Sequence, residues 1–175
     1  MSWEDSIDEH LEVVRAARGA LAQPLAIAVE RCHRALLDGG KIMVCGNGGS
    51  AADAQHFSTE LSGRFFHDRP AIAAVALTTD SSALTAIAND MGFDEIFARQ
   101  VDAIGLAGDV LIAISTSGNS RNVLRAVEQA KARDVYALGL TGENGGRLGE
   151  EVELCIKAPS AAVPRIQEVH ELVLH

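Results

Sequence analysis

Along the first forty residues apolar positions recur every three or four: Ile7, Leu11, Val14, Ala17 and Leu21 form one stripe, and Leu25, Ala28, Cys32 and Leu36 a second. That spacing puts each set on one face of a helix, so two amphipathic helices are predicted. Pro24 suits the first turn of the second helix, and Gly39-Gly40 ends it. After Gly40 the period changes. Short apolar runs at Ile42–Cys45, 71–77, Val110–Ile114, 135–140 and 154–156 alternate with helical stretches at 50–62, 82–89, 96–103, 121–133 and 164–175. Runs so short and so uniformly apolar read as strands buried on both faces, the mark of a parallel sheet. The predicted fold is therefore α/β, a doubly wound parallel five-stranded sheet flanked by helices, with the pair at 1–40 added in front. Right-handed crossovers place helices on both faces, and ligands then gather at the carboxyl ends of the strands.

Composition adds boundaries to this picture. At 175 residues and 47% hydrophobic content, one domain spanning 1–175 can bury a full core without disulfides or a structural metal. No apolar run approaches the roughly 20 residues of a membrane span, and Met1-Ser2-Trp3-Glu4-Asp5 lacks the charge pattern of a signal peptide. A cytoplasmic protein with no membrane partner is expected. Cys32, Cys45 and Cys155 show no C-x-x-C spacing and read as small buried hydrophobes. The net charge of -9 argues against a nucleic-acid partner. It also means that a phosphate ligand must be drawn in by local N–H groups and helix N-termini, against the global field.

Two loops at strand ends carry candidate chemistry. The first strand leaves through Gly46-Asn47-Gly48-Gly49-Ser50 into a helix, so the backbone can approach an anion closely and point amides at it. Gly46, Gly48 and Ala51 also satisfy the dinucleotide pattern G-x-G-x-x-A. The acidic residue that pattern needs at the end of the second strand is missing, because the strand runs into Thr78-Thr79 and Asp80 comes only after them. The third strand leaves through Ser115-Thr116-Ser117-Gly118-Asn119-Ser120 and opens a long helix. Capping that helix needs one such side chain; four hydroxyls in six residues suit a phosphate monoester.

The helix after the first loop carries His56 and Glu60 four residues apart, on one face and within reach of the cradle at its start, fit for acid-base work or for a metal. The last helix reads Pro164-Arg165-Ile166-Gln167-Glu168-Val169-His170-Glu171-Leu172-Val173-Leu174-His175. Its spacing nominates Glu171 with His175, or Gln167 with His170 or Glu171, and does not decide among them.

The runs Gly46-Asn47-Gly48-Gly49-Ser50-Ala51-Ala52-Asp53-Ala54, Ser115-Thr116-Ser117-Gly118-Asn119-Ser120 and Arg165-Ile166-Gln167-Glu168 resemble the sugar isomerase (SIS) domain family, in particular its isomerases of seven-carbon sugar phosphates. The likeness spans nearly the whole chain. It implies an SIS-type, flavodoxin-like fold and conversion of sedoheptulose 7-phosphate to D-glycero-D-manno-heptose 7-phosphate through an enediol. That reaction opens the route to nucleotide-activated heptose for lipopolysaccharide and other surface polysaccharides. A homotetramer with the N-terminal helices packed between subunits is implied as well.

Matched position by position, the resemblance implies substrate contacts at Asn47, Gly48, Gly49, Ser50, Glu60, Asn89, Asp90, Ser115, Thr116, Ser117, Ser120 and Gln167. It makes Glu60 and His175 the catalytic pair. It also implies about one zinc per subunit held by His56, Glu60, Gln167 and His175, to the exclusion of His170 and Glu171. Gln167 and His175 stand about 12 Å apart along an ideal helix, so both must lean inward or different subunits must contribute. The likeness departs at the end, since family members carry the last helix past this histidine and the sequence stops on it. Two rival readings are a noncatalytic regulator that keeps the phosphate loops, similar to regulators of replication initiation, and an isomerase of an arabinose or hexulose phosphate. Glu60 and His175 favour an enzyme, because a binding module has no chemical need for either.

Overall fold

The computed structural model describes residues 2–175. Two helices, α1 (Trp3–Ala20) and α2 (Ala22–Leu37), precede an alternating order: β1 (Ile42–Cys45), α3 (Gly49–Ser62), β2 (Ala74–Ala76), α4 (Ser81–Met91), a 3-10 turn at Phe93–Glu95, α5 (Ala98–Ile104), β3 (Val110–Ile114), α6 (Arg121–Ala132), β4 (Tyr136–Thr141), α7 (Leu148–Glu151), β5 (Leu154–Lys157) and α8 (Val163–Leu174). The five strands are all parallel in the order β2-β1-β3-β4-β5. This is the flavodoxin-type order, and its topological switch point falls between β1 and β3.

Strand alternation explains why both faces of the sheet are buried. Ile42, Val44, Val110, Ile112, Ile114, Leu138 and Leu140 point to one layer, with Ala17 of α1, Ala28 of α2, Ala54 of α3 and Val169 of α8. Met43, Cys45, Leu111, Ala113 and Ala137 point to the other, against Val101 of α5, Val127 of α6 and Leu148 of α7. Each fully buried Leu or Ile stabilises the fold by about 1.5–3 kcal/mol relative to exposure. Cys45 is wholly enclosed, and burial pushes its thiol up to about 12, so it packs as a hydrophobe.

The pair α1 and α2 lies on the first layer. Ser2 and Asp5 form a reciprocal cap at the start of α1. Arg165 of α8, almost buried, donates to the Ser6 carbonyl at 2.6 Å, and His10 meets Glu168 at 2.7 Å. Departures from the predicted elements are local. The strand expected at 71–77 is ordered as a strand only over Ala74–Ala76, an edge that pairs with β1 alone. The helix expected at 96–103 is α5, shifted to Ala98–Ile104 and preceded by the turn at Phe93–Glu95, and α7 was not predicted. Asp80 caps α4 by accepting from Ala83 N at 2.9 Å.

Candidate active site

The loops after β1 and β3 emerge side by side because these strands are neighbours, in register from Ile42 opposite Val110 to Cys45 opposite Ala113. Gly48 takes φ 58° at the start of α3, a conformation glycine adopts without strain. No side chain caps α3, and none caps α6, whose N-terminal flank is Ser120. Two helix N-termini therefore open into one place with donors to spare, which suits an anion. Ser50 and Ser115 are buried there at 3% exposure each, and Ser115 Oγ lies 3.0 Å from Ser120 Oγ. The alternative that these hydroxyls serve as ordinary caps does not hold, since Ser120 bonds to Ser115 and Ser117 Oγ accepts from Asn119 N within the loop.

Asn122, in the first turn of α6, joins the two loops and was not foreseen. Its amide exchanges two hydrogen bonds with that of Asn47, at 2.9 and 2.8 Å, and it is 2% exposed. Gln167 of α8 closes the cradle from a third side. A methyl group on Gly49 would stand 2.3 Å from Gln167 Nε2, so this glycine makes room for that amide.

Further along α3 lies a second group. His56 Nε2 is 2.8 Å from His175 Nε2 and 3.7 Å from Glu60 Oε1. Glu171 Oε1 stands 3.4 Å from His56 Nε2 and 3.8 Å from His175 Nε2. One ligand-capable atom from each of His56, Glu171 and His175 lies within 4.8 Å of the others. The His175 ring meets His56 edge-on and stacks on Phe65, 5.5 Å between centroids and 11° between planes. Phe57, Glu60, Leu61, Phe65, Arg69 and His175 border a cavity of about 200 Å³. Arg69 donates to the carbonyls of Glu60 and Leu61 at 2.6 and 2.8 Å, satisfying the C-terminal end of α3. Asp53, one turn before His56, is pushed up to about 6 by burial first and then by the charge and hydrogen bond of Glu171.

The structure thus brings Asn47, Gly48, Gly49, Ser50, Ser115, Thr116, Ser117, Ser120 and Gln167 to one end of α3, and His56, Glu60 and His175 to the other. Gln167 sits against Gly49, about 10 Å along the helix axis from His56, and within one chain Glu171 occupies the place beside the histidines that the family likeness implied for Gln167. His170 lies apart from this cluster, fully buried and bonded to the Thr141 carbonyl at 3.0 Å. Asn89 and Asp90 lie exposed at the end of α4, hydrogen-bonded to each other at 2.7 Å and not to the cradle.

The SIS domain family matches residues 3–142. A phosphoheptose isomerase of Bordetella avium is 56% identical over 161 residues, covering 89% of this chain and 81% of that protein. One from Thiobacillus denitrificans is 50% identical across 100% of this chain and 92% of its own length. The chain belongs to the phosphoheptose isomerase family. The solved structure of the Neisseria gonorrhoeae phosphoheptose isomerase superimposes with a TM-score of 0.93 at 46% identity, covering 98% of this chain and 92% of that one.

Proposed function

We propose that the chain interconverts sedoheptulose 7-phosphate and D-glycero-D-manno-heptose 7-phosphate, an aldose–ketose isomerisation that feeds nucleotide-activated heptose to surface polysaccharide. The observation that carries this reading is the placement of an anion cradle at the start of α3 and of His56 and Glu60 two to three turns on along the same helix. From Ser50 to Glu60 the axis advances about 15 Å, shortened by side chains that lean toward the helix start. A sugar long enough to keep its phosphate at one end and its carbonyl at the other fits that separation.

In the ketose-to-aldose direction, Glu60 takes a proton from C1 and returns it to C2, passing through an enediol. His175 carries the hydroxyl proton from O1 to O2, and its ring is held for this by Phe65 and His56. The phosphate is held by the hydroxyls of Ser50, Ser115, Ser117 and Ser120 with the uncapped amides of α3 and α6, while Asn47 and Gln167 face the sugar. Asn89 and Asp90 complete a neighbouring subunit's site in a homotetramer. Exposed apolar side chains on the N-terminal pair, Trp3, Val29 and Leu37, supply a surface for that packing. We place the enzyme in the cytoplasm, where phosphorylated sugars are made. Among the described residues no helix is long and apolar enough to cross a membrane.

A zinc ion fits the histidine cluster. Tetrahedral coordination at about 2.05 Å places ligand atoms about 3.3 Å apart, and the contacts of 3.4 and 3.8 Å from Glu171 match that spacing, with the His56–His175 pair at 2.8 Å needing only a small ring rotation. When bound, zinc polarises the sugar's carbonyl and neighbouring hydroxyl. Incubating the protein with sedoheptulose 7-phosphate in deuterated water tests the reading. An aldose carrying deuterium at C2 is expected; a folded protein that binds the sugar phosphate and forms no aldose would place it among noncatalytic sugar-binding regulators.

A further inference from the structure

A phosphate that enters the cradle works against the field of the whole chain, whose net charge is -9. The side chains that line the cradle, Asn47, Ser50, Ser115, Ser117, Ser120 and Gln167, are all uncharged. The cation that adjoins the hydroxyl loop is Arg121, which follows Ser120 directly and is the first residue of α6. A side chain there leans toward the helix start, because each Cα–Cβ bond tilts that way, and so toward the hydroxyl loop.

The Arg121 guanidinium is 80% exposed and rests on Asp94, at 2.7 Å, in the turn Phe93–Glu95. With Leu124 and Arg147 it borders a cavity of about 210 Å³, which gives it open space in which to turn. Arg125, one turn further along α6, has no such freedom, since it is shared between Glu95, at 2.8 Å, and Glu128. An exposed ion pair such as Arg121–Asp94 contributes little to stability. A guanidinium on a phosphate makes charge-assisted and bidentate hydrogen bonds, which are among the strongest a side chain offers.

We propose that Arg121 is a phosphate ligand of this enzyme, held by Asp94 until the sugar phosphate arrives and then passed to its phosphate group. The inference rests on the reading that the cradle takes the phosphate of a sugar, and deepens it by supplying the cation which the cradle itself lacks. The exchange keeps the guanidinium paired before and after binding. Glu95 keeps the turn fastened to Arg125 while Asp94 lets go. Arg121 also differs from the hydroxyls in how it responds to salt: its contribution is that of an exposed charge and falls with ionic strength.

The test is calorimetric titration of the full-length protein with sedoheptulose 7-phosphate at low and at high ionic strength. Circular dichroism establishes that each variant is folded. Arg121→Gln should weaken binding by about 10-fold at low salt, the loss of one charge-assisted hydrogen bond, and by clearly less at high salt. Arg121→Lys, which keeps the charge and loses the fork, should recover part of the affinity. Asp94→Asn should bind as tightly as the wild type or up to about a few-fold more tightly, because it releases the guanidinium. Affinity in Arg121→Gln equal to that of the wild type at low salt overturns the assignment. So does a loss in Asp94→Asn as large as in Arg121→Gln, which would show that the ion pair serves only to fasten the turn to α6. Both results leave the cradle in place. A wild-type protein with no affinity for the sugar phosphate overturns the functional reading, and this assignment with it.

Discussion

Asn47 and Asn122, 75 residues apart in the chain, grip each other through both halves of their amides at 2.9 and 2.8 Å. Asn122 Oδ1 also accepts from Val123 N at 3.0 Å. This pair fixes the loop after β1 to the first turn of α6, and so holds the two halves of the proposed phosphate cradle at one spacing across the switch point. Asn122 is a positioning residue, since it is buried beneath the loops and acts through Asn47.

Asn122→Ala should leave the Asn47 amide without its partner and cost about 1–3 kcal/mol of stability. The kinetic signature should be a higher KM for the sugar phosphate with kcat reduced less, because the cradle is loosened and the acid-base groups are untouched. Urea unfolding and steady-state kinetics check the two effects. An unchanged KM in the folded variant would deny Asn122 this role.

Two glycines in the site should respond in opposite ways to alanine. Gly118 has φ 65°, and a Cβ there would stand 2.0 Å from the Gly145 carbonyl oxygen, which is backbone and cannot step aside. Gly118→Ala should lower stability by about 2–4 kcal/mol, visible as a lower melting temperature. Gly49→Ala would press on the flexible end of Gln167 instead, so stability should change by less than about 1 kcal/mol while affinity for the substrate falls.

Replacing Ser115, Ser117 and Ser120 together with alanine should abolish measurable sugar-phosphate binding in calorimetry while the fold survives. Hydrogen bonds to a charged phosphate contribute about 1.5–3 kcal/mol each. Unchanged affinity in the folded triple variant would mean that the phosphate binds elsewhere.

His170 gives the fold an acid-sensitive element. Burial holds its pKa below the ordinary 6.5, outweighing the hydrogen bond to Thr141 that acts in the opposite direction. The folded state therefore binds fewer protons here than the unfolded one. The stability from a neutral His170 is fully present above about pH 6.5 and is lost as the pH falls below it. His170→Gln, which keeps a donor for the Thr141 carbonyl, should flatten the decline in unfolding free energy between pH 7 and pH 5. An equally steep decline in the variant would show that other groups govern it.

Legibility in the sequence followed burial and distance. β1 and β3 are readable to the residue because both faces are covered, so apolar run and strand coincide. The edge strand is not, because apolar residues from Ala71 onward continue past the three that pair with β1. With four residues, α7 is too short to show a helical period. In the site, the glycine and hydroxyl loops announce themselves by composition, and His56 with Glu60 by spacing. Asn122, Asp53 and Phe65 carry no local signal, since each acquires its role from a partner distant in sequence. Glu171 was visible as the helical neighbour of His175, but its approach to His56 depends on how α8 lies against α3, which spacing within one helix does not determine.

The central claim is that Glu60 moves the carbon-bound proton during isomerisation, and the turnover of Glu60→Gln on sedoheptulose 7-phosphate tests it most directly. The substitution keeps the shape of the side chain and removes its basicity. With aldose formation followed by nuclear magnetic resonance, kcat should fall by about 10²- to 10⁴-fold while affinity for the sugar phosphate changes little. A folded Glu60→Gln enzyme turning over within a few-fold of the wild type would contradict the account.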